Sequence, residues 1–431
     1  MRMTSRRLAM SAATASLFVP VALAGGQAQA AKAAPQAGPT AARCSTGSAI
    51  SKKLPGGTTW RMCWNNHSTA GLVLTGVSYQ PKYEANPIPV LSSARLAQIN
   101  VPYDSGSVEY NDLTAMEFGS GLLPLQPKDC PGGVIKSVRV YGQPVKGLCI
   151  TTQPRGFAYH GDSGDVGEDP PKVDSAQGQD LVIYTLNAVG YYQYITQWNF
   201  SDDGTITAKA GATGNLSPGD YDAADGTGWP IGRGSAAKAT SHHHNIFWRL
   251  KFHDGTGSPG VEQYDTKQTG TSRDGVPILK TTRKPITKEL AGDAANSRWW
   301  RLVSKNGKNS DGHRRSWELV QQHTDKYQPH PWTKHDVYFT QYRACEKYAS
   351  ENSMFDRSCK DTVKHFVNGE QLTNPVVWVN VGFHHIARDE DQTPMPVHWQ
   401  GFQIVPRDVT AMSPLTPGHL HKPRYNGEPE F

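Results

Sequence analysis

Two histidines are spaced to share a metal ion. His242 and His244 lie two apart in SHHHNIFWRL, residues 241–250, where the Ile, Phe and Trp content reads as a β-strand. Side chains at i and i+2 of a strand leave from the same face, so the two imidazoles would converge on one point. His385, in VGFHHIARDED much further along the chain, is the candidate third nitrogen. Three imidazoles with positions open for water suit copper(II) or zinc better than magnesium or calcium. The competing reading is a solvated surface run of adjacent histidines.

Strands must position these residues. GLVLTGVSYQ, GVIKSVRVYG, DLVIYTLNAVGYYQYITQWNF, GTITAKAGAT, HNIFWRLKFHD, RWWRLVS, HDVYFTQY, PVVWVNVGF and QGFQIVP are rich in β-branched and aromatic residues and bounded by turn formers. Helical patterns are confined to residues 92–99 and 360–367. With 42 glycines and 30 prolines as punctuation, the expected fold is all-β dominated, a large antiparallel β-sandwich with few short helices. No internal repeat is found. A chain of 431 residues allows two or three domains, although β-rich domains often run larger as one unit. With 37% hydrophobic and 19% charged residues, the composition suggests neither a disordered chain nor a membrane-embedded one. The net charge of +6 is scattered, and the pairs Arg283-Lys284 and Arg314-Arg315 lack the density of a nucleic-acid footprint. The charge reads as solubility, with no nucleic-acid partner expected.

Residues 1–30 read as a signal peptide: basic MRMTSRR, an apolar run, and AQA before Ala31 as a cleavage site. Arg6-Arg7 after Ser5 hints at twin-arginine export, with a plain secretory signal as the alternative. No other apolar run is long enough to span a bilayer, so the expectation is a secreted protein with no membrane partner. Residues 31–55 read as a linker or N-terminal extension and 56–431 as one large β-domain. Six cysteines in an exported chain point to disulfides. They allow fifteen pairings, of which the sequential one joins Cys44 to Cys63, Cys130 to Cys149 and Cys345 to Cys359.

From about residue 56 onward the chain resembles the catalytic domain of copper amine oxidases, enzymes whose topaquinone is made from one of their own tyrosines. Three motifs carry the resemblance. HHHNIFWRL fits a two-histidine strand followed by Arg249-Leu250. WVNVGFHHIARDEDQTPMP sets Trp378, Gly382, His385, Arg388, Glu390, Asp391, Met395 and Pro396 at the family's spacings. VGYYQYITQWNFSDDGTITAKAGATG resembles the strand bearing the cofactor tyrosine, with Trp198, Phe200, Gly204 and Gly214 in register.

The resemblance implies copper held by His242, His244 and His385, and topaquinone formed from Tyr192. Without the motifs, Tyr191, Tyr192 and Tyr194 would read as ordinary sheet aromatics. In NVPYDSGSVEYNDLTAMEF the family's Val-Pro-Tyr and Tyr-x-Asp pieces appear as residues 101–103 and 110–112. They imply Asp112 as the base that takes the substrate proton and Tyr103 as the hydroxyl that bonds the quinone oxygen. The two pieces stand closer together than in the family, and Asp104 and Glu109 are the alternative bases. The implied activity is oxidation of a small primary amine by O2 to an aldehyde, with ammonia and hydrogen peroxide released, in a homodimer. An arm reaching to the second copy is expected at DGHRRSWEL, residues 311–319.

Three departures from the family stand out. Tyr191 occupies the place of an asparagine beside the cofactor tyrosine, and Gln193 that of an acidic residue. Lys251 and His253 stand where aspartates hold a peripheral calcium, so no calcium is expected there. Two other readings stay open: a copper-binding homologue with lost or altered quinone chemistry, and a secreted recognition module with incidental histidines.

Overall fold

In the computed structural model, the strand Tyr192–Ser201 buries alternate side chains, Tyr192, Tyr194, Thr196, Trp198 and Phe200, as a strand facing a core on one side must. The structure describes residues 44–421, except 46, 107–108, 163–172, 217–227, 234–237, 295–296, 323–329 and 351–358. The expected targeting segment over residues 1–30 lies outside the described residues.

Two large antiparallel sheets carry the fold. The first runs, in spatial order, Ser48–Lys53, Thr59–His67, Gly71–Gln80, Ile88–Val101, His242–Phe252, Pro375–His385, Val337–Gln341 and Leu290–Gly292, with Tyr110–Asn111 paired to Ile88–Val101. The second runs Pro277–Ile286, Gly260–Thr271, Arg298–Lys308, Arg314–Gln321, Met395–Arg407, Ile206–Gly214, Tyr192–Ser201, Val173–Val189, Gln143–Asp162 and Val134–Val140. Their inner faces share one core. Trp198 of the second sheet meets Trp248 of the first edge to face at 5.0 Å, and Phe200 meets Trp60 at 5.1 Å. An aromatic pair of this kind adds about 1 kcal/mol beyond the area it buries. Pro375–His385 is buried on both faces, because Val376 and Trp378 pack outward with Phe247, Tyr338, Val363 and Phe366. Its run PVVWVNVGF, apolar but for Asn380, is the sequence mark of such a strand.

The sandwich and its shortage of helix agree with the expectation, while several local readings are corrected. Residues 92–99, expected as a helix, are the middle of the strand Ile88–Val101. SSARLAQI is rich in helix formers, but this segment pairs on both sides, Ala94 with both Leu74 and Leu250. That pairing, with Leu96 and Ile99 wholly buried, overrides local propensity. The helix expected over 360–367 shrinks to Val363–Phe366. The run DLVIYTLNAVGYYQYITQWNF is a hairpin that turns at Gly190-Tyr191, with Val189 opposite Tyr192. Gly190, at φ 57°, supplies the positive φ of the tight turn. The stretch at 311–319 is no free arm: Arg314–Gln321 is an interior strand between Arg298–Lys308 and Met395–Arg407. Ser48–Lys53, inside the expected N-terminal extension, pairs with Thr59–His67. Disulfides join Cys44 to Cys63, Cys130 to Cys149 and Cys345 to Cys359.

Candidate metal centre and active site

Cross-strand register brings the three histidines together. His242 lies directly opposite His385 on the neighbouring strand, and His244 is two residues along on the same face as His242. All three are buried, and one ligand atom of each lies within 4.8 Å of the other two. His243 pairs instead with His384 and leaves from the other face. The second sheet faces the cluster with Tyr192. Its phenol oxygen is 2.7 Å from His242 Nε2 and 2.9 Å from His385 Nδ1, so a tyrosine and three imidazoles converge between the sheets. The solvated-run reading of the histidines fails here, because both members of the pair are 0% exposed.

Electrostatics favours neutral rings with lone pairs available. Burial, reinforced by His385, pulls His242 down to about 3. Burial and then His242 hold His244 well below the usual histidine range. His385 is oriented from behind. Its Nε2 lies 2.9 Å from the wholly buried Asp391 carboxylate, which fixes that nitrogen as the donor and leaves Nδ1 facing the cluster. Burial would raise Asp391, but hydrogen bonds from His385, His398 and the Arg388 backbone outweigh it and hold the carboxyl at about 2. Whether the site fits a metal is tested by His244. Its Nδ1 meets the Tyr194 hydroxyl at 3.1 Å, while its Nε2 is buried without a hydrogen-bond partner. A buried nitrogen of this kind is costly unless something accepts its lone pair, and a cation does so. An all-nitrogen set with a phenol beside it matches copper(II) or zinc.

Asp112 opens the short helix Asp112–Met116 and is 4% exposed. Burial pushes its carboxyl up to about 7, against a hydrogen bond from Tyr194 that lowers it. Tyr194 therefore bridges Asp112 and His244, and its own phenol is raised well above the usual range by burial and by Asp112. The other carboxylates of the segment have different partners. Glu109 lies 2.7 Å from His330 Nε2 and also accepts from Asn100, and Asp104 accepts from His384 Nε2 at 2.9 Å. Tyr103 forms a bridge with His242 and sets its ring 4.9 Å from that imidazole, with Tyr110 6.1 Å away on the exposed side. Tyr191 is 53% exposed and turns away from the cluster. Lys251 stacks over Tyr342 at 4.1 Å, and His253 Nδ1 accepts from the Gly255 backbone.

Sequence reasoning missed three partners. Asp391 stood in the motif only as a register position; a carboxylate near a metal-bound histidine is the usual orienter and could have been read as one. Tyr194 was visible only as a sheet aromatic. His398 carried no signal, because it reaches Asp391 at 3.2 Å only once Met395–Arg407 is in place.

Comparison with known proteins identifies the family. The family model described as copper amine oxidase, enzyme domain, matches residues 58–417. Primary amine oxidase 2 of Arabidopsis thaliana is 26% identical over 409 residues, 84% of this chain and 59% of that protein. Primary amine oxidase of Klebsiella aerogenes is 26% identical over 387 residues, 78% of this chain and 50% of that protein. The chain thus spans between 50% and 59% of the length of these curated relatives. The fold is shared with a copper-containing benzylamine oxidase from Hansenula polymorpha, with TM-score 0.69 and 20% identity over 85% of this chain and 62% of that one. It is shared also with the Aspergillus nidulans amine oxidase, with TM-score 0.68 and 19% identity over 83% of this chain and 52% of that one. With a match over most of its length, this chain belongs to the copper amine oxidase family and carries its enzyme domain.

Proposed function

We propose that the protein is a secreted, copper-dependent primary-amine oxidase that converts a small primary amine, O2 and water into an aldehyde, ammonia and hydrogen peroxide. The observation that carries this reading is the Tyr192 phenol oxygen, 2.7 Å from His242 Nε2 and 2.9 Å from His385 Nδ1. When bound, copper would acidify that phenol and open its ring to oxygen, and the resulting quinone would supply the carbonyl that captures the amine.

The remaining work falls to the chain. His242, His244 and His385 would hold the metal, and Asp391 fixes the tautomer and direction of His385. Asp112 accepts the proton from the carbon next to the amine nitrogen. A carboxyl held at about 7 by burial is a stronger base than an exposed one and ionises near neutral pH. Tyr194 steadies that carboxylate by donating to it and ties it to His244. Tyr103, partly buried, packs on His242, with the exposed Tyr110 ring beside it. Secretion is supported by residues 1–30 and by the three disulfides.

A homodimer is part of the proposal, with the contact moved from residues 311–319 to another hairpin. Pro277–Ile286 is the outermost strand of its sheet and is exposed along nearly all its length. Val276, Ile278 and Leu279 present apolar side chains there, 60%, 49% and 64% exposed. Such a strand is an edge that a second copy would cover.

One observation favours a second reading, a copper protein without quinone. Tyr191 replaces the expected asparagine and points outward, so nothing from that position lies over the Tyr192 ring. The two readings separate in one experiment. Copper-free protein is given copper and air, treated with phenylhydrazine, and the Tyr192 peptide is weighed. A coloured adduct on that peptide is expected; full copper occupancy with an unmodified tyrosine would leave the second reading.

A further inference from the structure

Asp112 opens a helix too short to hold itself. Asp112–Met116 is little more than one turn, and its cap residue Asn111 makes no side-chain capping bond to it. A neighbouring strand supplies the support. Gln98, wholly buried on Ile88–Val101, lies opposite Phe247 of the histidine strand and reaches the helix with both ends of its amide. Its Oε1 accepts from the backbone amides of Leu113 and Ile99, each at 3.1 Å. Its Nε2 lies 2.9 Å from Thr114 Oγ1, 3.1 Å from Ser350 Oγ and 3.2 Å from the Ser350 carbonyl. We propose that Gln98 is a positioning residue for the amine-oxidising reaction, holding residues 112–114 so that the Asp112 carboxyl keeps its place. The proposal deepens the reading of Asp112 as the base and rests on it.

Three considerations carry it. The first is that the amide can face the helix in only one way, because backbone amides only donate and the Ser350 carbonyl only accepts. The second is adjacency. Leu113 and Thr114 directly follow Asp112, whose carboxyl accepts from Tyr194, itself 3.1 Å from His244 Nδ1. A shift of about 1 Å there is enough to slow a proton transfer roughly 10²-fold. The third is that the far end is pinned as well. Ser350 Oγ donates to Asn111 Oδ1 at 3.1 Å, and the Ala349 amide donates to the Ala97 carbonyl at 3.0 Å. Gln98 thus joins the strand, the helix and the 349–350 segment in one buried network, the kind that fixes a geometry when every member is satisfied.

The test has two arms. The first uses metal-free protein with disulfides intact and involves no turnover. The stability that Asp112→Asn gains between pH 4 and pH 8 is measured by urea unfolding, in the wild-type background and in Gln98→Met. Methionine matches glutamine in length and bonds neither helix residue. Released from its anchor, the carboxyl reaches water, and the gain is expected to fall to less than half. A gain unchanged in folded Gln98→Met overturns the proposal, as does a wild-type background with no gain to lose. If Gln98→Met does not fold, Thr114→Val is measured in its place, with Thr114→Ser expected to restore the wild-type gain.

The second arm uses copper-loaded protein and compares Gln98→Met, Asp112→Asn and the double variant. Gln98→Met is expected to lower kcat roughly 10–100-fold with KM, copper content and phenylhydrazine adduct unchanged, and to lose nothing further on top of Asp112→Asn. A merely structural role would reduce the copper or add its loss to that of Asp112→Asn, and either result overturns the proposal. Wild-type turnover by Asp112→Asn would remove the base assignment instead, a failure distinct from an unchanged gain in the first arm.

Discussion

Replacing Asp112 with asparagine should stabilise the protein at alkaline pH while removing the proposed base. The carboxyl titrates at about 7 in the fold, against 3.8 for the unperturbed group. At 1.36 kcal/mol per unit, that difference corresponds to about 4 kcal/mol. The sign follows from proton binding. The folded state holds this proton more tightly than the unfolded chain, so stability is full below pH ~4, falls as pH rises towards 7, and stays low above it. Asparagine has nearly the same shape and cannot ionise, so it escapes that loss. It accepts less strongly from Tyr194, at a cost of about 1 kcal/mol. Asp112→Asn should therefore be slightly less stable than wild type at pH 4 and about 3 kcal/mol more stable at pH 8. The assay is urea unfolding of metal-free protein, disulfides intact, at pH 4, 6 and 8. Asp391 and the other carboxylates titrate in both proteins and cancel in the difference. In copper-loaded wild type, turnover should rise with pH through about 7, and the variant should lose roughly 10²–10⁴-fold at every pH. A stability gap that does not change with pH, or a variant that is weaker at pH 8, would refute the burial argument.

His385→Ala removes the ligand that faces Tyr192 and strands the Asp391 carboxylate. It should leave no stoichiometric copper after dialysis, as read by metal analysis, whereas unchanged binding would take His385 out of the site. Asp391→Asn keeps all three imidazoles but loosens the tautomer and aim of His385, and it should weaken copper binding about 10–100-fold in a chelator competition. Leu279→Asp, placed on the exposed edge hairpin, should shift sedimentation towards the monomer without changing circular dichroism. A dimer that persists would move the contact elsewhere.

Much of the buried centre could be read along the chain because strand geometry is local. The two-residue spacing of His242 and His244 settles that they share a face, and alternation alone sends His243 to the other side. The long strands announced themselves by β-branched and aromatic runs, Pro375–His385 among them. Residues 92–99 misled because their intrinsic preference is helical, and the strands that overrule it, Gly71–Gln80 and His242–Phe252, are partners the segment itself does not name.

What the sequence by itself determined was therefore the shared face of His242 and His244 and the sheet-forming segments, both consequences of periods of a few residues, while His385 entered as a candidate through the resemblance. The tertiary structure decided what meets them. Asp391 and His398 reach behind His385, Tyr194 joins Asp112 to His244, and Asp104 accepts from His384. The Tyr194 and Asp104 contacts join residues 50 or more apart. Their distances depend on how two sheets pack and which loops lie over them, and no local pattern encodes that.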